Sequence, residues 1–410
     1  MKRAFLFIPL LTTFAITPLS AAGALSTWNQ LYAKLAAQDP PHLQSRGLAM
    51  LNLAIHDAVN AVQPKFGAYR LEGGAYTGGS AEAAAASAGR HLLPAILPPT
   101  ALPEIESAYA PLINAVTEPR ARALGITAGQ AAAALLVKER MGDLALIDGP
   151  IPSANRIDRY QTTPPLNVPN GVFSGWGRVA PFTMRSAEQF RPGPPPSPSS
   201  AAYAREYNEV KNIGSVNSAT RSAAQTDLAN FWFEGGSPAG WTRIALSAAT
   251  AANLDLPHSA RLLALVSAAL ADAYILQSEA KYTYYRWRPL TAIHNGGADG
   301  NSATTADPNW APLLFLPPDP EYPSGHAVGA GAAAEVLMRI LGTEYVSITA
   351  TSATLPGKER QLDSFSIAAQ ESADSRVIGG VHFASSRDAG LEAGRRLGRQ
   401  AAQVFLRPLP

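Results

Sequence analysis

Apolar residues recur every third or fourth position along most of this 410-residue chain, the spacing that buries one face of an α-helix. The pattern predicts helices over 26–37, 45–62, 81–93, 102–116 and 128–141. In 45–62 the buried face is carried by Leu48, Leu51, Ile55 and Val59. A second series covers 200–211, 222–233, 241–251, 260–286, 327–340, 364–376 and 385–405. The longest, 260–286, buries Leu262, Leu265, Val266, Ala269, Ala273 and Leu276. Only 345–349, Tyr-Val-Ser-Ile-Thr, reads as a short strand. Two stretches lack sustained periodicity. One is 153–199, rich in Pro, Gly, Asn and Ser; the other is 290–320. The expected fold is all-α: helical bundles, two of four helices each, joined by long loops.

Composition narrows the class. Hydrophobic residues make up 47% and charged residues 16%, enough for a sizeable core. A net charge of +2 argues against broad nucleic-acid binding. The chain has no cysteine, so disulfides, thiolate metal sites and a cysteine nucleophile are excluded. Lys2 and Arg3, the apolar run 4–16 and small residues to Ala24 read as an export signal over 1–24. The expectation is a secreted or periplasmic protein, with 25–410 a single domain and no membrane span after cleavage.

Polar chemistry concentrates in three stretches. Tyr322-Pro323-Ser324-Gly325-His326 precedes a small-residue helix with Ser324 at its N-cap, so a hydroxyl, a bare glycine amide and an imidazole lie at the positive helix end. Upstream, Lys281 and Arg288 are seven residues apart, about two helical turns, on one face of a predicted helix. Downstream, Arg376 is followed by Gly379-Gly380, which stops the helix and leaves His382 on the loop behind it. Three cations, a helix N-terminus and two imidazoles form a socket for a tetrahedral oxyanion.

These stretches, 281–382, resemble the three-part signature of the vanadium-dependent haloperoxidases and type 2 phosphatidic acid phosphatases. The pattern is Lys, six residues, Arg-Pro; then Pro-Ser-Gly-His; then Ser-Arg, five residues, His. The resemblance implies that Lys281, Arg288, Ser324, Gly325, Arg376 and His382 bind vanadate or phosphate. It makes His382 the single protein ligand to vanadium and His326 the acid–base group. Lys281 would polarise bound peroxide. The implied reaction is oxidation of halide by hydrogen peroxide, with vanadate as cofactor. On the same residues two alternatives stand. One is a cofactor-free acid phosphatase that hydrolyses a phosphate ester through a phosphohistidine; the other is a non-catalytic oxyanion-binding protein.

Asp319 departs from the resemblance, because haloperoxidases often place an aromatic residue or histidine there. A carboxylate at that point is expected to repel halide. Ser278 stands where some members carry tryptophan. Asp227, Glu234 and Asp374 are the candidate carboxylate partners of Arg376. Arg286, His294, His56 and Asp57 are expected to be structural, His56 and Asp57 in a buried helix-to-helix hydrogen bond. Arg46 to Asp57 repeats the spacing of Arg261 to Asp272, suggesting an internal duplication.

Overall fold

The computed structural model describes residues 23–169 and 171–410. Residues 1–22 of the expected export signal lie outside the described residues. The first half contains α1 (Gly23–Leu35), α2 (Pro41–Val62), α3 (Ala81–Ile96), α4 (Leu102–Asn114) and α5 (Pro119–Glu139). After a long loop come α6 (Ala201–Ile213), α7 (Ala223–Gly235), α8 (Pro238–Ala251), α9 (Leu256–Tyr284) and the short α10 (Pro289–His294). The chain ends with α11 (Gly325–Leu341), β1 (Tyr345–Thr351), β2 (Glu359–Ser364), α12 (Phe365–Ile378) and α13 (Ala384–Val404). The expected all-α architecture is present, with one antiparallel ribbon, β1–β2, as an addition.

The helices form two packed groups around α9. On one side α2 packs on α9, α3 and α5; on the other α11 packs on α9, α12 and α13. Among the described residues helix α9 alone is long and apolar enough to cross a membrane by length and composition. Its apolar window is 94% buried inside the protein, as the shared core helix of both groups.

Asp39-Pro40-Pro41 breaks α1 from α2 as expected, but Pro41 itself opens α2, where its missing N–H is no loss. Helix α5 begins nine residues before the predicted start, at Pro119, with the Glu118 carboxylate accepting from the Arg120 and Ala121 amides.

The Pro/Gly-rich region is anchored by a buried carboxylate. Asp272 on α9 accepts from the amides of Phe182, Thr183 and Met184 at 2.7, 2.6 and 3.1 Å. Asp57 on α2 does the same for Tyr69, Arg70 and Leu71, at 2.7, 2.6 and 2.9 Å. Asp57 therefore holds a loop, not a neighbouring helix as expected. The echo seen in the sequence has a structural counterpart: two paired helices, each with a buried aspartate satisfying three consecutive loop amides. The arginines diverge. Arg46 binds Asp143 at 3.0 Å, whereas Arg261 donates to the Leu406 carbonyl at 2.7 Å.

Candidate active site

Helix α9 ends at Tyr284, and Tyr285 takes a left-handed conformation, φ 50°. The chain turns there, and Arg288 becomes the N-cap of α10. Lys281 and Arg288 are therefore not two cations on one helix face, as the spacing predicts. They are brought together by the reversal, and both reach the same carboxylate. Lys281 Nζ lies 3.1 Å from Asp319 Oδ2, and the Arg288 guanidinium pairs with Asp319 Oδ1. The backbone of that loop is held as well: Arg288 Nε donates to Asp319 O at 2.8 Å and Lys281 Nζ to Pro320 O at 2.5 Å.

Helix α11 starts as expected, with Ser324 at its N-cap. The hydroxyl makes no capping hydrogen bond, and Ser324 Oγ is buried without a partner. A Cβ on Gly325 would lie 1.8 Å from Gln277 Oε1, one turn before Lys281 on α9. The Gln277 amide occupies the space a side chain at 325 would fill. Helix α12 delivers Arg376 near its end, and Gly380, with φ 78°, turns the chain so that His382 follows on a loop.

His382 is oriented by an acid that lies outside the three motif stretches, Glu321. Its Nδ1–H donates to Glu321 Oε1 at 3.0 Å, and the Phe383 amide donates to the same oxygen at 2.9 Å. A carboxylate only accepts, so Nδ1 carries the proton and Nε2 carries the lone pair. That nitrogen accepts from Arg288 Nη1 at 3.1 Å. Arg286, expected to be structural, links Glu321 (3.5 Å) to the buried Glu206 (2.5 Å). His294 is structural as well, donating to the Trp310 carbonyl at 2.8 Å.

His326 donates from Nε2 to the Phe233 carbonyl at 3.1 Å, which leaves the lone pair on Nδ1. Burial, with the charges of Arg376 and Lys281, pushes its pKa down to about 3. His382 is also held well below the usual imidazole range, by burial and by Arg288, Lys281 and Arg376. Both imidazoles are neutral at pH 7. Burial and the neighbouring Arg288 bring Lys281 down to about 8, against the pull of Asp319. Burial would raise Asp319, but Lys281 and Arg288 outweigh it and keep the carboxyl well below its ordinary range.

Arg376 is the outlier. It is 1% exposed, and among the described residues its Nε and Nη1 are buried without partners. The three acids expected to balance it pair elsewhere: Asp227 with Lys358, Glu234 with Arg243 at 2.7 Å, and Asp374 with Arg387 at 3.0 Å. The Phe233 ring, 5.6 Å from the guanidinium, is not a counter-charge. Burial and Arg288 push its pKa down to about 9. A buried guanidinium without a carboxylate is costly, and its natural complement is an anion from outside the chain. The orphaned Ser324 hydroxyl and the close approach at Gly325 complete donors for a small tetrahedral oxyanion. By this test the residues present fit vanadate or phosphate.

Two further residues escaped the sequence reading. His42 on α2 stacks on Phe173, ring centroids 4.1 Å apart, and donates from Nε2 to Ser278 Oγ at 3.1 Å. Tyr274, one turn before Ser278, feels the charges of Arg376 and Asp319. No short motif marks either one, because their partners are far away in sequence.

Fold and site define a helical-bundle protein in which three buried cations, Lys281, Arg288 and Arg376, act on two neutral imidazoles. Residues 261–409 match the family model described as the VCPO second helical-bundle domain. A vanadium chloroperoxidase of Curvularia inaequalis is 28% identical over 73% of this chain, and the match spans 61% of that relative's length. A solved bacterial vanadium-dependent iodoperoxidase superposes with TM-score 0.81 at 26% identity, covering 96% of this chain and 99% of its own. A holo-type bacterial vanadium-dependent chloroperoxidase shares the fold, with TM-score 0.67 at 17% identity over 93% and 92% of the two chains. The chain is related to the vanadium haloperoxidases and carries a match to their second helical-bundle domain over residues 261–409.

Proposed function

We propose that the protein is a vanadate-dependent haloperoxidase that oxidises halide with hydrogen peroxide. The observation that carries this reading is Arg376: a fully buried cation without a carboxylate, beside Lys281, Arg288 and a neutral His382. Arg376, Lys281, Arg288, Ser324 Oγ and the Gly325 amide would hold the oxyanion, and His382 Nε2 would be the ligand to vanadium. Vanadate, when bound, supplies a Lewis-acid centre that activates peroxide toward halide.

The chain's own residues do the rest. Glu321 fixes the His382 tautomer, so the lone pair is on the nitrogen that faces Arg288. His326 holds its Nδ1 lone pair ready to take a proton, because Nε2–H is engaged by the Phe233 carbonyl. An anion in the pocket opposes the field of Arg376 and raises His326 toward the range where it exchanges protons near neutral pH. Lys281 is the cation placed to withdraw charge from a bound oxygen. Among halides we propose iodide: Asp319 opposes the approach of small, hard anions, and a related structure is an iodoperoxidase. Export to the periplasm or medium is the matching location, testable by finding the mature N-terminus near residue 24.

The test loads purified protein with orthovanadate and follows peroxide-dependent triiodide formation and monochlorodimedone bromination, beside p-nitrophenyl phosphate hydrolysis. The expected result is iodide oxidation that disappears in His382→Ala. His326→Ala retains vanadate but turns over slowly. Full halogenation by His382→Ala refutes the assignment. Phosphate-ester hydrolysis without halide oxidation transfers the site to the phosphatase branch.

A further inference from the structure

The three cations of the pocket are not equally free. Arg376 has no partner for Nε and Nη1. Lys281 and Arg288 share one protein carboxylate, Asp319, which is 8% exposed. Arg288 has little capacity left, because Nη1 donates to the Val381 carbonyl at 2.8 Å and to His382 Nε2 at 3.1 Å. An internal anion thus holds two of the three cations that the oxyanion needs, and one of those cations covers the ligand nitrogen.

We propose that Asp319 is a built-in counter-ion that competes with the tetrahedral oxyanion for Lys281 and Arg288 and so sets how tightly the pocket binds it. This rests on the oxyanion reading of the site. Two like charges on the same cations oppose one another strongly in a buried setting. Lys281, Arg288, Arg376 and Arg286 against Asp319, Glu321 and Glu206 leave a surplus of one positive charge, and removing the Asp319 carboxylate raises that surplus to two. The geometry also shows what has to move. Arg288 Nε and Lys281 Nζ are bonded to the backbone carbonyls of Asp319 and Pro320, so the loop can stay in place while the carboxylate swings aside. Released from the Asp319 carboxylate, Arg288 Nη2 is free to donate to the oxyanion while Nε and Nη1 keep their backbone acceptors.

The test is isothermal titration calorimetry of orthophosphate and orthovanadate into the full chain, wild type, Asp319→Asn and Asp319→Ala. Folding of each variant is checked by its melting transition. The expected result is binding tightened about tenfold or more by either substitution. Folded variants that bind equally or more weakly than wild type overturn the role of Asp319 and leave the oxyanion reading intact. Absence of binding to all three proteins at millimolar anion overturns that reading, and this inference with it. A crystal structure of the wild-type protein soaked in orthovanadate gives an answer that does not depend on the variants folding. An Asp319 carboxylate moved off Lys281 Nζ supports the inference. The 3.1 Å contact kept with the anion seated overturns it.

Discussion

Glu321→Gln removes one charge from the pocket and almost nothing else. Two donors, His382 Nδ1–H and the Phe383 amide, converge on Glu321 Oε1. In the variant the amide oxygen has to take that place, since a flipped NH2 group would face two N–H groups. The imidazole tautomer and the loop are therefore kept. A hydrogen bond to a carboxylate contributes about 1.5–3 kcal/mol and one to a neutral amide about 0.5–1.5. The His382 link thus loses roughly 1–1.5 kcal/mol, or about tenfold in vanadate affinity, within the range seen when the partner of a metal-ligating histidine is changed. The new NH2 group sits where Oε2 faced Arg286 at 3.5 Å, but Arg286 keeps Glu206 at 2.5 Å. The fold should lose no more than about 1–3 kcal/mol. Vanadate titration followed by calorimetry, with thermal melts of the vanadate-free protein, checks both parts. A dissociation constant within twofold of wild type would show that Glu321 is packing and does not tune the ligand nitrogen. Glu321→Ala is expected to be much worse, because it leaves the His382 imidazole N–H and the Phe383 amide without their shared acceptor.

Arg376→Met removes a buried charge that has no protein partner, so the vanadate-free variant should be more stable than wild type by about 1–4 kcal/mol, read by denaturant titration. Orthovanadate at a hundredfold excess over its dissociation constant should stabilise wild type by about 2.7 kcal/mol and leave the variant unchanged. Loss of stability in Arg376→Met would mean the guanidinium has a partner after all. For pH dependence, burial pushes His42 down to about 3, so the folded protein keeps it neutral while the unfolded chain takes up a proton below about 6.5. Its contribution is complete above pH 6.5 and falls away as the pH drops toward 3. His56 (about 4) acts in the same direction, and Asp57 (raised to about 6) in the opposite one, so those two largely cancel. Between pH 6.5 and 4.5 His42→Gln should lose about 2 kcal/mol less stability than wild type in paired thermal melts, and parallel losses would exclude His42 as the acid-sensitive group.

What the sequence makes legible is what lies within a few helical turns of itself. Ser324, Gly325 and His326 are fixed by one helix start, and Arg376 and His382 by one helix end, so their spacing carries their placement. Elements held by large apolar residues are equally clear. Helix α5 is less so at its start, because it meets α3 through Gly125 and Gly129, where an added Cβ would lie 2.5 Å from Ser80 O and 2.6 Å from Ala84 O. Small residues that let backbones touch leave no hydrophobic period to read. Strand β2 is missed for a similar reason: apart from Leu362 and Ser364, its residues face solvent or the edge.

The charge balance of the pocket is another matter, because every term in it is a long-range contact. Asp227, Glu234 and Asp374 were reasonable candidates for Arg376 by sequence, since nothing local distinguishes an acid that pairs with Lys358, Arg243 or Arg387 from one that faces the site. Asp319 and Glu321 lie two residues apart in one Pro-rich loop and do opposite things. Asp319 faces Lys281 and Arg288; Glu321 faces His382 and Arg286. Residues two apart in an extended chain share a side, so the divergence reflects the bent backbone of this Pro-rich loop. The consequence is physical. Under the proposed function, one short loop supplies both the charge that would make His382 a better ligand and the charge that would compete for the same oxyanion. The affinity of the pocket is then a difference between two carboxylates, and motif residues alone, which contain neither, cannot state its size.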